Sequence, residues 1–352
     1  MNRCRLCVMP DTRPDTPFIN GVCSACITYA NRLKVDWAAL ERLLLELLDR
    51  HHGECIVPSS GGKDSTYQAV TLKAMGADVL VVTARTCQLT DIGRANIDNL
   101  ARHCETIEYV PNMKQRAKLN RLGLEMVGDI SHPEHMAIFT VPFRAALQTG
   151  RSLIMFGENP QAQYGGPLGT EEAREMTLRW RSEFGGFLGL RPSDLESMVG
   201  DMSYYVPPSA GQLAKASVEA HFLGHYLPWD SHRNAEVATV HGFRCERPTL
   251  ANWWVHENLD NAQTGLHDFF MFLKYGFGRG CQQISVDVRA GRINRPEALR
   301  WVEICDGMFP ECYAGVPVSE VLDRIGMTRD QMAEIAVRFT NPDILHGREI
   351  QF

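Results

Sequence analysis

The stretch Ser60–Ser65, with the sequence Ser-Gly-Gly-Lys-Asp-Ser, constrains the fold more than any other part of the chain. The short apolar run 55–58 before it predicts a strand, and the good helix formers within 66–75 predict a helix after it. A tight glycine loop between a strand and a helix presents several backbone N–H groups and the positive end of the helix dipole to one point. The stretch therefore predicts an anion cradle, in which Asp64 indicates a bridging Mg²⁺.

This loop resembles the PP-loop of the ATP pyrophosphatases, which hold the terminal pyrophosphate of ATP and release AMP. It lacks the Gly-x-x-x-x-Gly-Lys-Ser/Thr pattern of the general P-loop. The alternative is a glycine-rich turn whose serines and aspartate only cap the following helix.

Further apolar runs at 79–83, 106–110 and 153–156 alternate with helical patterns, including 91–103. Such alternation predicts an α/β fold with a doubly wound, mostly parallel sheet, whose ligand lies beyond the carboxyl ends of the strands. Residues that follow two of these strands are therefore expected to meet ATP: Thr83 and Ala84, and then Gly157, Glu158 and Asn159. For the last three the alternative is a loop with a self-capping asparagine.

Two Cys-x-x-Cys pairs, Cys4 with Cys7 and Cys23 with Cys26, lie near the amino terminus. Their spacing predicts a zinc ribbon with a closed tetrahedral shell of four thiolates, which is a structural kind of site. An iron–sulfur centre or a redox dithiol is the alternative. Leu33 to Leu48 shows apolar residues at helical spacing and predicts a helix that packs this ribbon onto the next domain.

The second half of the chain is less regular. The region 161–251 contains many aromatic residues, which are either part of a sugar pocket or, as is commoner, of the core. Lys274–Arg279 combines two glycines with two cations and predicts a loop that closes over phosphates. Amphipathic helices are predicted at 296–306 and 329–338. We therefore expect three domains: a zinc ribbon at 1–32, a PP-loop α/β domain at 33–160, and a substrate-binding and helical region at 161–352.

The composition narrows the class of protein. The net charge of −6 and the pI near 6.1 argue against a long nucleic acid as the main partner. No run approaches 18 apolar residues, so we expect no contact with a membrane, and the first five residues lack an apolar signal core. A cytoplasmic protein is expected, with reduced cysteines.

Taken together, the motifs resemble the N-acetyl sugar amidotransferases of bacterial surface-polysaccharide and nonulosonic acid biosynthesis. The resemblance rests on the two cysteine pairs with Val8–Pro14, the PP-loop, Gly157–Asn159, and Lys274–Arg279 followed by Asp287–Arg289. It implies a HUP-like fold and the ATP-dependent conversion of a sugar acetamido group into an acetamidino group. It also implies an acetamido sugar or sugar-nucleotide substrate, a glutaminase subunit that supplies ammonia, and a cyclase-like channel subunit.

The expected site residues follow from the loop, the strand ends and this resemblance. Charge on the reacting phosphates would be neutralised by Asp64 through Mg²⁺ and by Lys63, Lys274 and Arg279. The other ATP-binding residues would be Ser60, Gly61, Gly62, Ser65, Thr83, Ala84, Gly157, Glu158 and Asn159. Two alternatives remain, namely a PP-loop tRNA thiolase, which needs a basic RNA-binding face, and a zinc-ribbon binding module without catalysis.

Overall fold

The computed structural model describes residues 1–167 and 169–345, and a five-stranded parallel sheet forms its centre. The central strands are β3 (Glu54–Pro58), β4 (Asp78–Ala84), β5 (Glu105–Tyr109), β6 (Leu153–Phe156) and β7 (Glu219–Phe222). Two small antiparallel pairs complete the described strands: β1 (Phe18–Ile19) with β2 (Val22–Cys23), and β8 (Cys312–Tyr313) with β9 (Val316–Pro317).

Helices surround the sheet and form most of the second half. The helices before β7 are α1 (Ser24–Arg32), α2 (Trp37–Arg50), α3 (Lys63–Ala74), α4 (Asp91–Leu100), α5 (Met113–Val127), α6 (His132–Ile138), α7 (Val141–Thr149), α8 (Pro160–Tyr164), α9 (Leu178–Phe184), α10 (Pro192–Val199) and α11 (Ala210–Lys215). Those after it are α12 (Leu223–Tyr226), α13 (Ser231–Val240), α14 (Thr264–Tyr275), α15 (Arg279–Arg289), α16 (Arg295–Cys305), α17 (Val318–Arg324) and α18 (Arg329–Phe339). Short 3₁₀ helices lie at Thr170–Glu172 and Ser203–Tyr205.

The strand order is β5-β4-β3-β6-β7, with every pair parallel. The chain moves outward from β3 through β4 to β5, then returns to the other side of β3 and continues through β6 to β7. This reversal confirms the doubly wound sheet and makes the gap between β3 and β6 its topological switch point, where such sheets bind ligands. The last strand, β7, lies in the region where no regular element is predicted from the sequence.

Alternating residues of the central strands fill two cores, one on each face of the sheet. Ile56 and Leu80 belong to one core, and Val57 and Val81 belong to the other. Because both faces are covered, the strands read as continuous apolar runs, and this is why the sequence identifies them.

The cysteine-rich segment packs against the end of the chain. Val8 and Met9, both fully buried, share a core with Phe277 just before α15, with Ile284 on α15 and with Val302 on α16. A further core joins α14, α17 and α18. The ribbon is therefore packed onto the carboxyl-terminal helices, and the proposed domain limits at 32 and 160 stay a prediction.

The predicted helix at 33–48 begins later than expected, at Trp37, because the Asp36 side chain caps it by accepting a hydrogen bond from the Ala39 amide at 3.1 Å. Lys274–Arg279 is also not one open loop. Lys274 lies in the last turn of α14, Gly276 ends that helix in a left-handed conformation at φ 72°, and Arg279 begins α15. Across residues 1–167 and 169–345, none of the helices is both long and apolar enough to cross a membrane.

Candidate active site

The loop between β3 and α3 lies at the switch point of the sheet. Ser59 holds it in shape, because its Oγ accepts a hydrogen bond from the Gly61 amide at 2.9 Å and lies 2.7 Å from Ser65 Oγ. Gly61 has φ +80°, and a Cβ there would lie 2.7 Å from Ile97 Cγ1 and 2.8 Å from the Ile97 amide nitrogen. Only glycine fits this position, for both conformational and steric reasons.

The amides at the start of α3 are available to an anion. Within the described part of the chain, the backbone N–H groups of Gly62, Lys63, Asp64 and Ser65 have no hydrogen-bond partner. Helix starts leave such groups unsatisfied, and the helix dipole adds to their attraction for negative charge. The Ser65 hydroxyl is already engaged, since it also donates to the Gly62 carbonyl at 3.1 Å. The loop therefore offers a cradle of backbone amides.

Lys63 is a buried cation held between two carboxylates. Its side chain is 1% exposed, and its Nζ lies 2.6 Å from Asp64 Oδ2 and 3.8 Å from Glu257 Oε1. Burial alone would lower the pKa of Lys63, but the charges of Asp64 and Glu257 raise it instead. Lys63 therefore stays charged at neutral pH, and it would have to leave a carboxylate to reach a phosphate.

Asp64 and Glu257 are in turn fixed by distant residues. Asn234 Nδ2 on α13 donates to Asp64 Oδ1 at 2.9 Å. Gln283 Nε2 on α15 donates to Glu257 Oε2 at 2.6 Å, and the Tyr164 hydroxyl donates to Glu257 Oε1 at 3.3 Å. Asn234 and Glu257 thus approach the loop from two other stretches of the chain, so the loop is completed only in the folded protein.

Two acidic groups around the loop, Glu158 and Asp260, have raised pKa values. Burial, together with the charge of Asp64, raises the pKa of Glu158 to about 7. Burial also raises the pKa of Asp260, which lines a small cavity together with Ser60, to about 6. The oxygens of Asp64, Glu158 and Glu257 do not gather within metal-ligand distance of one another in the described residues. Both oxygens of Asp64 already accept hydrogen bonds, one from Lys63 and one from Asn234, so a Mg²⁺ bound by Asp64 would displace one of these partners and complete its shell with phosphate oxygens and water.

Glu158 and Asn159 follow β6 and line a cleft of about 290 Å³. Aromatic rings of Tyr29, Trp37 and Trp229 form part of its wall. The Asn159 side chain caps α8, because its Oδ1 accepts from the Gln161 amide at 3.0 Å and its Nδ2 donates to the Thr170 carbonyl at 2.7 Å. Asn159 thus shapes the cleft, and Glu158 is one of its carboxylates.

The cysteine cluster is next to this cleft. Cys4 Sγ lies 3.8 Å from Cys26 Sγ, and Cys7 Sγ lies 3.7 Å from Cys23 Sγ, with all four side chains buried. Tetrahedral zinc with Zn–S bonds of about 2.3 Å requires sulfur atoms about 3.8 Å apart, so the cluster can hold a metal ion such as zinc. Backbone amides support the thiolates, as the Cys23 N–H donates to Cys4 Sγ at 3.3 Å.

Helix α1 connects the cluster to the cleft. It begins immediately after Cys23, contains Cys26, and lines the cleft with Ala25, Tyr29 and Arg32. Arg289 joins the same wall from α15, where its Nη2 donates to the Gln163 carbonyl at 2.7 Å. The ribbon is thus a structural part of the cleft.

Lys274 and Arg279, which the sequence predicts to neutralise phosphate charge, contact residues outside the loop. Lys274 Nζ donates to the Val127 carbonyl at 3.3 Å and not to the loop. Arg279 pairs with Asp268 at 3.0 Å, and its charge also helps to lower the pKa of Glu257. At the end of β4, Ala84 is partly buried, and the buried hydroxyl of Thr83 has no partner among the described residues.

Sequence reasoning missed Ser59, Glu257, Asn234 and Asp260. The aromatic stretch Trp253–Trp254 draws attention to this part of the chain, but nothing in the pattern separates Glu257 from an ordinary surface acid. Its role is visible only once the fold places it against Lys63.

A comparison with known protein families finds a match for the last third of the chain. Residues 240–351 match the family model described as "LPS biosynthesis protein WbpG-like, C-terminal domain". The search of curated proteins finds no match for this chain. The matched region supplies Glu257, Asp260 and Arg279 to the surroundings of the loop, and this part of the chain is similar to a domain of LPS biosynthesis proteins.

Proposed function

We propose that this chain is an ATP-dependent amidotransferase that converts the acetamido group of a sugar into an acetamidino group during surface-glycan biosynthesis. The observation that carries the proposal is the amide cradle at Gly62–Ser65, which lies at the switch point of a parallel sheet beside a cleft with aromatic walls. The family match at 240–351 and the resemblance of the motifs support the class of substrate.

The chemistry follows from the amide group. An amide oxygen is a poor leaving group, so it first attacks the α-phosphorus of ATP, and the bond to the β-phosphate oxygen breaks. Pyrophosphate leaves and the amide becomes an adenylated imidate. Ammonia then adds to the imidate carbon, and AMP leaves with the original amide oxygen. The product is an amidinium ion, and the one remaining proton passes to pyrophosphate or solvent.

The residues of the chain supply position and charge for these steps. The amides of Gly62, Lys63 and Asp64 would hold the leaving pyrophosphate, whose negative charge increases as the bond breaks. Asp64 would hold Mg²⁺, which when bound neutralises phosphate charge. The cleft beside Glu158 would hold the acetamido sugar against its aromatic wall and exclude water, which would return the imidate to the starting amide.

The proposal is tested by the products. Purified protein with ATP, Mg²⁺, an acetamido sugar and ammonium at high pH should release AMP and pyrophosphate in amounts that match the amidine formed. Asp64→Asn should lower AMP release by about 100-fold or more, since it removes the charged ligand of the metal. Asp91→Asn is the matched control, because Asp91 also lies in the first turn of a helix that follows a strand of the same sheet but is exposed. Release of ADP and phosphate would contradict the proposal, and no turnover with any acetamido sugar would favour a binding module.

Ammonia would come from a partner glutaminase. A glutaminase needs an activated cysteine, and the candidate Cys281 is fully buried with its thiol 3.6 Å from the Val8 carbonyl. Burial raises the pKa of Cys281, which is the opposite of activation. Glutamine should therefore support turnover only after a glutaminase is added, and amidine formation from glutamine by the purified chain alone would contradict this part of the proposal.

The tRNA thiolase alternative gains no support from the cysteines near the sheet. Cys87 is buried, its Sγ lies 3.1 Å from Asn120 Oδ1 and 3.0 Å from Gln263 Oε1, and burial raises its pKa well above the usual value. The pKa of Cys104 is likewise raised by burial. Neither thiol is prepared for nucleophilic sulfur transfer.

A further inference from the structure

A second cluster of metal-ligand side chains lies away from the cysteines and is not used by the proposed reaction. It consists of Asp129 after α5, His135 on α6 and His267 on α14. One atom from each side chain lies within 4.8 Å of the others, and the residues described contain no other such group besides the four cysteines.

One distance within this cluster is that of a coordination shell, and the other is that of a hydrogen bond. His135 Nδ1 lies 3.3 Å from Asp129 Oδ2, and His267 Nδ1 is hydrogen-bonded to Asp129 Oδ1 at 2.7 Å. Ligand atoms that each lie about 2.0–2.2 Å from a tetrahedral metal are about 3.3–3.6 Å apart, so a metal would enter by replacing the proton of this hydrogen bond as the two atoms move apart. Two imidazoles and one carboxylate, with positions left for water, are a donor set of transition-metal sites.

One nitrogen atom of the cluster that could bind a metal has no hydrogen bond. The buried Nδ1 atom of His135 has no hydrogen-bond partner among the described residues, although it faces the carboxylate of Asp129. Buried polar atoms are rarely left without a partner, and each one calls for an explanation. A metal ion between His135 and Asp129 would supply the missing partner.

The surroundings hold the three ligands in place. The Ser131 amide donates to Asp129 Oδ1 at 2.8 Å, which fixes the carboxylate. His267 Nε2 lies 4.0 Å from Asp268 Oδ1, so its second nitrogen faces an acceptor group. Gly186 packs closely on His135, where a Cβ would lie 2.9 Å from Nδ1. The side chains of His135 and His267 are 26% and 19% exposed, so solvent can reach the site.

We propose that Asp129, His135 and His267 bind a second divalent transition-metal ion, of the zinc class, with three protein ligands and at least one water. The metal would link α6, which belongs to the α/β part of the chain, to α14 in the carboxyl-terminal helices. Asp268, the residue after His267, forms an ion pair with Arg279, and the charge of Arg279 acts on Glu257. The metal would therefore also support the surroundings of Glu257. This proposal does not depend on the reaction proposed above.

Metal content tests the proposal. The purified full-length chain dialysed against Zn²⁺ should contain two zinc ions, and His267→Ala and His135→Ala should each contain one. His103→Gln is the matched control and should keep two, because His103 stacks edge-on with another histidine, His241, at 5.6 Å, as His135 does with His267 at 5.4 Å.

Cobalt distinguishes the two sites even if a variant folds poorly. Titration of the metal-free wild type with Co²⁺ should show one equivalent with intense thiolate-to-metal absorption and a second with only weak visible bands from nitrogen and oxygen ligands. The thiolate absorption should persist in His267→Ala, which shows at the same time that the variant is folded. A single equivalent in the wild type, with thiolate absorption alone, would overturn the proposal.

Discussion

The ammonium group of Lys63 lies 3.8 Å from the carboxylate of Glu257, a residue from a distant part of the chain that lies within the family match. The loop at Ser60–Ser65 therefore depends on the carboxyl-terminal region for its charge balance. Glu257→Gln keeps the size and shape of the side chain and removes its negative charge, so the variant measures how much the loop depends on that charge.

We expect Glu257→Gln to destabilise the protein by about 1–3 kcal/mol at pH 7, because a buried cation loses one of its two partners. The charges of Lys63 and Arg279 lower the pKa of Glu257 despite its burial, so its contribution to stability is present above pH 4.5 and is lost as the pH falls further. Urea unfolding at pH 7 and pH 4 measures this. Glu311→Gln removes the exposed pair with Arg329 and should cost less than about 1 kcal/mol, and equal effects of the two variants would refute the interpretation.

Gly61→Ala should abolish the loop geometry. Its φ of +80° strains any other residue by about 1–2 kcal/mol, and the new Cβ would in addition collide with Ile97. Gly76→Ala is the matched control, since Gly76 has φ +93° and nothing within 4 Å of its Cβ position. We expect the Gly61 variant to lose clearly more stability than the Gly76 variant and to lose AMP release as well. Similar melting temperatures for the two variants would contradict the inference that a Cβ at position 61 collides with Ile97.

Cys4→Ser should affect catalysis as well as folding. Loss of the metal would loosen α1, and α1 supplies Tyr29 and Arg32 to the cleft. We expect loss of thiolate absorption with Co²⁺, lower thermal stability and at least a tenfold rise in the KM for the sugar. Cys245→Ser, at an exposed cysteine outside the cluster, is the control. A metal-free Cys4→Ser protein with full activity would show that the ribbon is dispensable.

Glu158→Gln should change stability in a pH-dependent manner. Burial raises the pKa of Glu158 from 4.5 to about 7, so the folded state is favoured while the group is protonated and this advantage is lost as the pH rises through 7. The variant should match the wild type near pH 4.5 and be more stable at pH 8 by roughly 1–3 kcal/mol. Urea unfolding at the two pH values checks this, with Glu196→Gln on the surface of α10 as control. A difference that is the same at both pH values would exclude titration of Glu158 as its cause.

The sheet could be predicted because its central strands are covered on both faces. Val79 to Val82 form an apolar run that only a buried strand explains, and the glycines of the loop mark where the strand turns into a helix. Strand β7 could not be found in the same way. It contains Glu219 and His221, and the polar His221 is buried because its Nδ1 lies 2.7 Å from the Tyr226 hydroxyl, a contact that a sequence pattern does not reveal.

Within the candidate site, only the residues that follow strands of the sheet could be predicted from the sequence. Ser60–Ser65 and Glu158 carry local signals, since loops after strands meet the ligand in this class of fold. Glu257 and Asn234 reach the loop through tertiary packing of α13 and the segment before α14, and they leave no local signal. The glycines at 276 and 278 indicated a loop, but Gly276 ends α14 in a left-handed cap, so the cations on either side face different neighbours.

The shared core of Val8 and Met9 with Phe277 and Ile284 also bears on the order of events during synthesis. A ribosome completes the cysteine-rich segment first, whereas the apolar surface that covers it emerges only with α15 and α16. Until then Val8 and Met9 lack the apolar neighbours that α15 and α16 supply, whether or not metal has bound. A nascent chain arrested before residue 277 should therefore be recognised by chaperones at its first residues, and release of those residues would mark completion of α16.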